Sequence, residues 1–348
     1  MSSLFSLVAI FGCVSANVFT PYLKDHLELP SGAEKLSGDA LVDYINSLKT
    51  TWTATKNNRF IGLSHEQQQT FLGVLDAPKE FENLTSTHLT VNSALPAEFD
   101  VRQKWPQCAK ILNDIRDQSN CGSCWAVATV SAISDRICIK SNGKLQVPIS
   151  AQDLMSCCRN CGYGCNGGYP EAAWNYYHSN GIVSGGAYNT KDTCRPYPFK
   201  PCAHHVKGTA YKDCPSNIER TPACTPTCVT NYLTYNSDKH RAETSVFVFR
   251  SEQSIQQEIL ENGPVEAAFT VFEDFLHYEG GVYEHKAGRS KGGHAVKIIG
   301  WGVENDVKYW LVANSWNEGW GEKGTFRILR GRNHCGFESR VTSAEPRL

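Results

Sequence analysis

Two cysteines three positions apart, Cys121 and Cys124, are the residues of this chain best suited to covalent chemistry. Apolar residues recur behind them at helical spacing, at Val127, Val130, Ile133 and Ile137. This pattern predicts an amphipathic helix that begins near Cys124. A thiol at a helix N-terminus faces the positive end of the helix dipole, which favours the nucleophilic thiolate. Taken alone, the pair also fits a structural CxxC motif, a redox pair or half of a zinc site.

A cysteine nucleophile needs a base, a group that orients the base and donors for the oxyanion, and later parts of the chain supply candidates. His294 stands at the start of a predicted strand between small residues, where a substrate backbone has room. Asn314 ends the next predicted strand, across a turn at 304–306, so two antiparallel strands can place it beside His294. The neutral Asn carbonyl would fix the imidazole, and Trp316 would cover the pair and exclude water. Alone, a histidine beside glycines is more often structural.

The composition and the N-terminus limit the classes of function. The 348 residues carry a formal net charge of −1 and a pI of about 6.8, so nothing indicates binding to nucleic acid or an anionic membrane. An apolar run at 4–14 ends in small residues that suit signal-peptide cleavage before Asn17. No later stretch has the roughly eighteen apolar residues of a membrane span. We expect a protein of the secretory pathway without a membrane anchor, located in the lysosome, secreted or in a digestive lumen.

The fifteen cysteines agree with that compartment. Cys13 belongs to the predicted signal peptide, and the other fourteen lie between Cys108 and Cys335. In an oxidising compartment this distribution predicts a disulfide framework confined to one part of the chain. A set of zinc ribbons would need CxxC pairs at regular spacing, whereas the spacings from Cys157 to Cys228 are irregular. We therefore expect no bound metal and no cofactor.

Residues 17–94 differ from the rest of the chain, because they are polar and free of cysteine, with one predicted helix around 41–45. They hold too few apolar side chains for an independent core, so we expect them to pack onto the remainder. The one acceptor sequon, at Asn83, predicts a surface glycan. The character of the sequence changes at Leu95, ahead of the cysteine-containing part, and we place a processing boundary just before it.

The elements after residue 95 fall into two halves. Up to about residue 186 the patterns predict helices after Cys124, after the N-cap Ser150 and around 171–178. Residues 187–240 form a long insertion rich in cysteine and proline, and long ordered loops often carry function. Later β-branched and aromatic runs predict a helix at 254–261 and strands at 246–249, 265–271, 294–301, 308–313 and 324–329. This order predicts an α+β fold with a cleft between the helical half and the mainly antiparallel half.

Taken together, these residues resemble the papain-like cysteine proteases, and the resemblance covers nearly the whole chain. It rests on Cys124 in Cys-Gly-Ser-Cys-Trp, His294 in Gly-Gly-His-Ala and Asn314 in Asn-Ser-Trp, in that order. The interval from Cys124 to His294 is 294 − 124 = 170 residues rather than about 130–150, and the cysteine-rich insertion accounts for the excess. The resemblance implies a papain-like two-domain fold, with a helical left domain, an antiparallel β-barrel-like right domain and the active-site cleft between them.

The resemblance also implies the role of each catalytic residue. Cys124 is the nucleophile, His294 acts as base and then as acid, and Asn314 orients the imidazole. Gln118 and the backbone N–H of Cys124 form the oxyanion hole. Further substrate-binding residues are implied along the cleft: Gly167, Gly168, Pro170, Ala268, Gly293, Ala295 and Trp316.

The resemblance divides the chain and assigns its cysteines. It implies a signal peptide at 1–16, an inhibitory prosegment at 17–94 that is removed, and a mature peptidase at 95–348. Twelve cysteines are paired: Cys108 with Cys138, Cys121 with Cys165, Cys157 with Cys224, Cys158 with Cys161, Cys194 with Cys228 and Cys202 with Cys214. Cys124 and Cys335 then remain thiols, which settles the alternatives for the CxxC pair.

One branch of this family carries an occluding loop, which would lie at about 198–218 in this chain. In that branch two loop histidines, here His204 and His205, bind the C-terminal carboxylate of the substrate and give release of dipeptides. Zinc ligation is the alternative for such a pair. Two ion pairs normally hold the loop: Asp117 with His204 is retained, whereas Gly319 replaces the acid of the second. We expect a looser loop and relatively more endopeptidase activity.

Two further departures from the family concern the cleft. Arg340 occupies the position of the acidic residue at the floor of the S2 pocket, which accepts arginine at P2. A cation there would repel arginine and favour acidic or apolar side chains, unless it turns away to solvent. Ser119 stands where many members have glycine, a minor change unless the backbone needs positive φ.

The function expected from the sequence is hydrolysis of peptides and proteins by a monomeric cysteine protease with endopeptidase and peptidyl-dipeptidase activity. Its expected partners are peptide substrates, its own prosegment and cystatin-type inhibitors. A catalytically weak or silent relative that binds peptides is the alternative, and the complete catalytic set argues against it. A disulfide-rich extracellular binding module would explain neither the cleft residues nor the prosegment.

Overall fold

The computed structural model of the chain describes residues 29–56, 70–82, 84, 86–87, 94–203 and 211–348. The predicted signal peptide, the sequon residue Asn83 and the loop histidines His204 and His205 lie outside the described residues. Within these ranges, every helix is too short or too polar to cross a membrane.

The described part of the chain contains eight α-helices. They are α1 (Gly38–Ser47), α2 (Lys79–Glu82), α3 (Val101–Lys104), α4 (Ala109–Leu112), α5 (Cys124–Lys140), α6 (Ala151–Cys157), α7 (Pro170–Ser179) and α8 (Glu252–Asn262). Short 3-10 helices lie at Ala33–Lys35, Pro106–Cys108, Glu273–His277 and His334–Gly336. Ser150 caps α6 as predicted, because its hydroxyl accepts a hydrogen bond from the N–H of Asp153 at 3.0 Å.

The strands form one mixed sheet that is open in the described residues. They are β1 (Trp52–Ala54), β2 (Phe99–Asp100), β3 (Phe247–Phe249), β4 (Val265–Phe272), β5 (Tyr278–Tyr283), β6 (Ser290–Glu304), β7 (Val307–Ala313), β8 (Thr325–Leu329) and β9 (Val341–Ser343). Their order is β1-β5-β8-β7-β6-β4-β9-β3, with β2 paired to β6. The pairs are antiparallel except β5 with β8. The five predicted strands correspond to β3, β4, β6, β7 and β8, whereas the sequence patterns did not predict β1, β2, β5 or β9.

Helix α5 is central to the fold and buried on every side, not only on one face as the apolar spacing predicted. Every residue from Cys124 to Cys138 is buried. The helix packs against α6 and α7 on one side and against β4 and β6 on the other. Its charged residues are paired inside the protein, as Asp135 accepts a hydrogen bond from the Lys297 ammonium at 2.6 Å. A helix with charged residues can therefore be fully buried here.

Two hydrophobic clusters form the two halves of the molecule and meet along the cleft. The first surrounds α5, α6 and α7 and includes Trp125 and Trp174. The second fills the space against the sheet and includes Phe275, Trp310 and Phe326. These halves correspond to the predicted helical and β-rich parts of an α+β fold.

Six disulfides hold the helical half and the insertion together. They join Cys108 to Cys138, Cys121 to Cys165, Cys157 to Cys224, Cys158 to Cys161, Cys194 to Cys228 and Cys202 to Cys214, the same pairs that the resemblance implies. Cys124 and Cys335 are thiols, and both are buried.

The N-terminal segment packs onto the sheet. Helix α1 buries Leu41, Val42 and Ile45 in the cluster that lies against the sheet. Strand β1 pairs antiparallel with β5, and the indole N–H of Trp52 donates to the carbonyl of Glu284 at 2.8 Å. The segment thus gains its core from the rest of the chain, as its composition predicted.

Candidate active site

The start of α5 is fixed from several directions, and Cys124 is its first residue. The disulfide of Cys121 with Cys165 holds the preceding turn, together with a hydrogen bond from Gly122 N–H to the Cys165 carbonyl at 2.8 Å. The indole N–H of Trp125 donates to Gly164 O at 3.1 Å. The Cys124 sulfur is therefore held in a defined position on the floor of the cleft.

His294 lies on β6, and the β6–β7 hairpin brings Asn314 beside it. The Nε2 atom of His294 is 2.8 Å from Oδ1 of Asn314. The Trp316 ring covers the imidazole at a centroid distance of 4.9 Å, and the His294 side chain is fully buried. Because Nε2 donates to the Asn carbonyl, Nδ1 is the nitrogen that can exchange a proton with a thiol. The N–H of Ala295 on β6 donates a hydrogen bond to Cys124 at the start of α5, so the helical half and the sheet half of the molecule meet at this point of the cleft.

Gln118 presents its amide N–H group to the cleft. Its Oε1 accepts a hydrogen bond from the Ser315 hydroxyl at 2.6 Å, which fixes the orientation of the amide. Its Nε2 donates to the carbonyls of Cys121 at 2.9 Å and of Phe71 at 3.0 Å. Phe71 belongs to the N-terminal segment, so a backbone carbonyl already occupies the donor that an oxyanion would use.

The Cys124 thiol is held in its protonated form while the N-terminal segment covers it. Burial raises the pKa of Cys124 to about 12, against the lowering effect of hydrogen bonds from the N–H groups of Ala295, Trp125 and Gly73. The sequence predicted the opposite direction, because the helix N-terminus alone favours the thiolate. Gly73 lies in the covering segment, so part of this burial is lost when the segment leaves.

The N-terminal segment runs through the cleft as an extended strand. The N–H groups of Gly73 and Val74 donate to the carbonyl of Gly293 at 3.1 and 3.0 Å. On the opposite wall, the N–H of Gly168 donates to the carbonyl of Gly73 at 2.8 Å, and the carbonyl of Gly168 accepts from the N–H of Leu75 at 3.1 Å. Both glycines were predicted to bind substrate, and here they bind the backbone of this segment.

The remaining predicted cleft residues lie on the same two walls. Gly167 and Pro170 lie on either side of Gly168 in the helical wall of the cleft, and Pro170 is the first residue of α7. Ala268 on β4 pairs with Ala295 on β6, and both are buried in one cluster with Cys124. The cleft is therefore narrow and lined by small side chains beside the nucleophile.

Arg340, predicted as a cation in the substrate pocket, forms an ion pair there. Its Nε and Nη2 donate to the two carboxylate oxygens of Glu171 at 2.9 and 2.8 Å. The Arg340 side chain is 11% exposed and that of Glu171 is 4% exposed. Both line a cavity of about 270 Å³, together with Val248 and with Ala77 and Phe81 of the N-terminal segment. Arg340 therefore does not turn away to solvent.

Asp117 organises the base of the loop closed by the Cys202–Cys214 disulfide. Its Oδ2 accepts hydrogen bonds from the N–H of Cys202 at 3.1 Å and from Nδ2 of Asn317 at 2.7 Å. Asn317 Nδ2 also donates to the Cys202 carbonyl at 2.7 Å. The predicted partner of Asp117, His204, lies outside the described residues.

Ser119 adopts the backbone conformation that would explain a glycine at this position. Its φ is 55°, in the left-handed region. Its N–H donates to Asp117 Oδ1 at 2.6 Å, and its hydroxyl lies 3.6 Å from the Cys202 sulfur. These contacts offset part of the strain that a residue with a side chain has in this conformation, which is about 1–2 kcal/mol.

Sequence reasoning missed three residues of the site: Glu171, Ser315 and Asn317. Ser315 is part of the Asn-Ser-Trp motif, Asn317 follows that motif and Glu171 follows the predicted cleft residue Pro170, so their closeness in the sequence was a usable signal. The pairing of Glu171 with Arg340 carried no such signal, because the two residues are 169 positions apart.

The fold and this site define the class of protein. The profile of the papain family cysteine proteases matches residues 95–345, which is more than half of the chain, so the chain belongs to this family. It is a cysteine protease.

The relatives that it matches are cathepsin B-like proteinases. The chain is 47% identical over 329 residues to a cathepsin B-like cysteine proteinase 6 of Caenorhabditis elegans, covering 92% of this chain and 86% of the relative. It is also 47% identical over 310 residues to a cathepsin B-like cysteine proteinase of Schistosoma japonicum, covering 88% and 90%.

A solved proform shows the same architecture. The structure of proCathepsin B S9 from Trypanosoma congolense matches with a TM-score of 0.77 and 36% identity, over 91% of this chain and all of that one (100%). The match extends into the N-terminal segment, which is therefore the prosegment of a zymogen.

Proposed function

We propose that Cys124, His294, Asn314 and Gln118 carry out peptide hydrolysis once the prosegment has left. His294 Nδ1 takes the thiol proton, and the Cys124 sulfur attacks the scissile carbonyl. The resulting oxyanion accepts hydrogen bonds from Gln118 Nε2 and the Cys124 N–H, and His294 then protonates the leaving amine. Water hydrolyses the acyl-enzyme with His294 as base. The hydrogen bond of 2.8 Å between His294 and Asn314 carries this proposal, because it fixes the tautomer that the proton transfers require.

The test of this step is labelling by an epoxide inhibitor that alkylates the active-site thiol. We expect one label per activated enzyme and loss of both label and hydrolysis in Cys124→Ala. Persistent hydrolysis in that variant would show that another residue is the nucleophile. A folded, activated enzyme that binds peptides without cutting them would favour the silent relative instead.

We further propose peptidyl-dipeptidase activity beside endopeptidase activity. The supporting observation is the anchorage of the Cys202–Cys214 loop on Asp117, one position before Gln118. A loop with this base lies near the oxyanion side of the cleft, where His204 and His205 of the same loop would bind a C-terminal carboxylate. Protonated imidazoles bind a carboxylate best below about pH 6.5, so the dipeptide release is strongest in acid.

This activity is tested with paired peptides that end in a free carboxylate or in an amide. We expect dipeptide release from the first only, and a selective loss of that release in His204→Ala and His205→Ala. His178→Ala, on the outer part of α7, is the matched control and leaves the release unchanged. If the amide is cut equally well, the carboxylate role of the loop is wrong.

The endopeptidase share is expected to be high, because Gly319 provides no acid to latch the loop. Its N–H donates to Asn317 Oδ1 at 2.9 Å, and it has no side chain to form an ion pair. Internally quenched peptides with blocked ends should be cut faster by this enzyme than by a relative with both latches. Equal rates would argue against a looser loop.

We propose that the S2 pocket prefers an apolar P2 side chain to arginine. Arg340 and Glu171 compensate each other, and the prosegment itself places Ala77 and Phe81 against this cavity. Of the acidic and apolar side chains that the sequence suggested for P2, the pairing of Arg340 with Glu171 favours the apolar ones. We expect a higher kcat/KM for Z-Phe-Arg than for Z-Arg-Arg substrates, and equal turnover would contradict the proposal.

We also propose entry into the secretory pathway, with a glycan on Asn83. Expression in a eukaryotic host should give a zymogen in the medium whose mass falls after glycosidase treatment. Asn83→Gln should be secreted without that mass change. Retention of the zymogen in the cytosol would overturn this part of the proposal.

A further inference from the structure

We infer that Glu171 is a specificity-determining residue of this protease, because it neutralises Arg340 and so makes the S2 pocket select uncharged side chains. This inference rests on the proposed position of Arg340 in S2. It assigns the specificity for the P2 side chain to Glu171 and Arg340 together rather than to Arg340 alone.

The ion pair joins the two walls of the cleft. Glu171 lies in the first turn of α7, directly after the cleft residue Pro170. Arg340 lies just before β9, and its carbonyl accepts a hydrogen bond from the N–H of Ala268 at 3.1 Å. The bidentate contact fixes both side chains, since the planar guanidinium matches the carboxylate in two parallel hydrogen bonds. The pair is therefore a built part of the pocket and not a flexible surface contact.

A third ionisable group lies beneath the pair and is uncharged in acid. Glu266 on β4 is fully buried, and its Oε2 accepts hydrogen bonds from Thr129 at 2.7 Å and Trp174 at 2.8 Å. Burial, helped by the charge of Glu171, raises the pKa of Glu266 to about 8, against the lowering effect of the hydrogen bonds from Thr129 and Trp174 and of the Arg340 charge. Below that pH Glu266 is neutral, so Glu171 and Arg340 are the buried charges of the pocket among the residues that the structure describes.

Arg250 is the remaining charged residue that lines this cavity among the described residues. It is exposed, and its guanidinium donates to the carbonyl of Leu84 in the prosegment at 3.0 Å. Solvent screens a charge at the rim, whereas the buried pair is screened far less. The selectivity for the P2 side chain therefore depends on whether the ion pair between Glu171 and Arg340 remains intact.

A charged P2 side chain meets a pocket with no net charge to receive it. An acidic P2 side chain can form an ion pair with the Arg340 guanidinium only if it displaces Glu171. A basic P2 side chain can form an ion pair with Glu171 only if it displaces Arg340. Each exchange leaves a buried charge without its partner, which is unfavourable. An apolar side chain pays no such penalty, and Phe81 of the prosegment shows that an aromatic ring is accommodated against this cavity.

The experiment compares P2 Phe, Arg and Glu in otherwise identical Z-Xaa-Arg substrates, cut by enzyme activated from the full-length zymogen. Glu171→Gln should raise the Glu-to-Phe ratio of kcat/KM by at least about tenfold, because it uncovers the cation. Arg340→Gln should raise the Arg-to-Phe ratio by a similar factor, because it uncovers the carboxylate. The double variant should return both ratios close to the wild-type values.

Glu258→Gln is the matched control, because it breaks another buried ion pair, with Arg136 at 2.6 Å, outside the cleft. It should leave both ratios within about twofold, whatever it does to stability. If Glu171→Gln does not fold, Glu171→Asp keeps the charge, lengthens the contact and should shift the Glu-to-Phe ratio in the same direction.

Ratios that stay unchanged in the single variants would overturn the inference. Hydrolysis that still depends on Cys124 in those variants would leave the protease function itself intact. A rise of both the Glu-to-Phe and the Arg-to-Phe ratio in one and the same single variant would also overturn it, since each variant exposes a charge of one sign only.

Discussion

Gly73 of the prosegment can lie in the cleft because it has no side chain, and we predict that a substitution at this position weakens the binding of the prosegment. The residue lies directly on Gly122, next to the catalytic thiol. A Cβ on Gly73 would lie 2.0 Å from the Gly122 carbonyl oxygen and 2.5 Å from its carbon. Both atoms belong to the turn that the Cys121–Cys165 disulfide fixes, so the prosegment must give way rather than the enzyme. Gly73→Ala should therefore lift the prosegment from the cleft.

The expected loss of prosegment binding free energy follows from the backbone hydrogen bonds that hold residues 73–75 in the cleft. Gly73, Val74 and Leu75 make four of them with Gly168 and Gly293, at 2.8–3.1 Å. Each contributes about 1 kcal/mol net. A shift of about 1 Å breaks two to four of them and costs about 2–4 kcal/mol. Because 1.4 kcal/mol corresponds to a factor of ten, the prosegment should bind about 30- to 700-fold more weakly.

The assay is the rate at which an alkylating epoxide labels the intact zymogen at neutral pH, before any processing. We expect Gly73→Ala to raise this labelling rate by about 30- to 700-fold, the factor by which prosegment binding is weakened. Gly280→Ala is the control, because it adds a methyl group where the prosegment strand β1 pairs with β5, in ordinary contact at 3.4 Å from Glu322. If Gly73→Ala is labelled as slowly as the control, the steric reasoning is wrong.

Three further predictions concern single residues of the site and its cover. Asn314→Ala removes the partner of His294 Nε2 and should lower kcat about tenfold to hundredfold with little change in KM, measured by steady-state kinetics on enzyme titrated for active sites; an equal rise in KM would point to lost substrate binding instead. Burial lowers the pKa of His277, whose Nδ1 lies 3.2 Å from the Thr55 carbonyl of the prosegment. The neutral imidazole is thus favoured in the zymogen, so prosegment binding is complete above about pH 6.5 and weakens as the pH falls. His277→Leu should flatten the pH profile of zymogen activation between about pH 6.5 and 5, and an unchanged profile would exclude this role. Ser119→Gly relieves the left-handed φ of 55° and should raise the unfolding free energy by up to about 1 kcal/mol in urea denaturation; a loss would mean that the serine contacts outweigh the strain.

The catalytic pair was predictable because local patterns determine it. Glu304 pairs with Val307 across a two-residue turn, whose residues Asn305 and Asp306 both have positive φ, at 49° and 64°. Such a turn fits the twist of the flanking strands and fixes their register. The register then places Asn314 beside His294. Turn chemistry and strand alternation, both visible in the sequence, were sufficient for this part of the site.

Long-range polar contacts were not predictable, and they account for the errors at α5 and at Arg340. Apolar spacing in α5 suggested a solvent face, but Asp135 meets Lys297 from 162 positions away and is buried with it. The charge of Arg340 was visible, whereas its neutralisation by Glu171 was not, because a single sequence does not show which distant charges meet. Strand β5 was missed because Gly280 and Gly281 interrupt its pattern.

The contacts of the prosegment also explain how a segment can occupy a protease cleft without being positioned for cleavage. The group that Gly73 offers to the Cys124 sulfur is an N–H, which donates a hydrogen bond to it. A nucleophile needs a carbonyl carbon at that position, in line for attack. The carbonyl of Phe71 does reach the oxyanion donor Gln118, at 3.0 Å, but it does so two residues away from the group on the sulfur. Cys124 and Gln118 thus contact different peptide units of the prosegment, so with the roles proposed for these two residues no single peptide bond of the prosegment is positioned for attack.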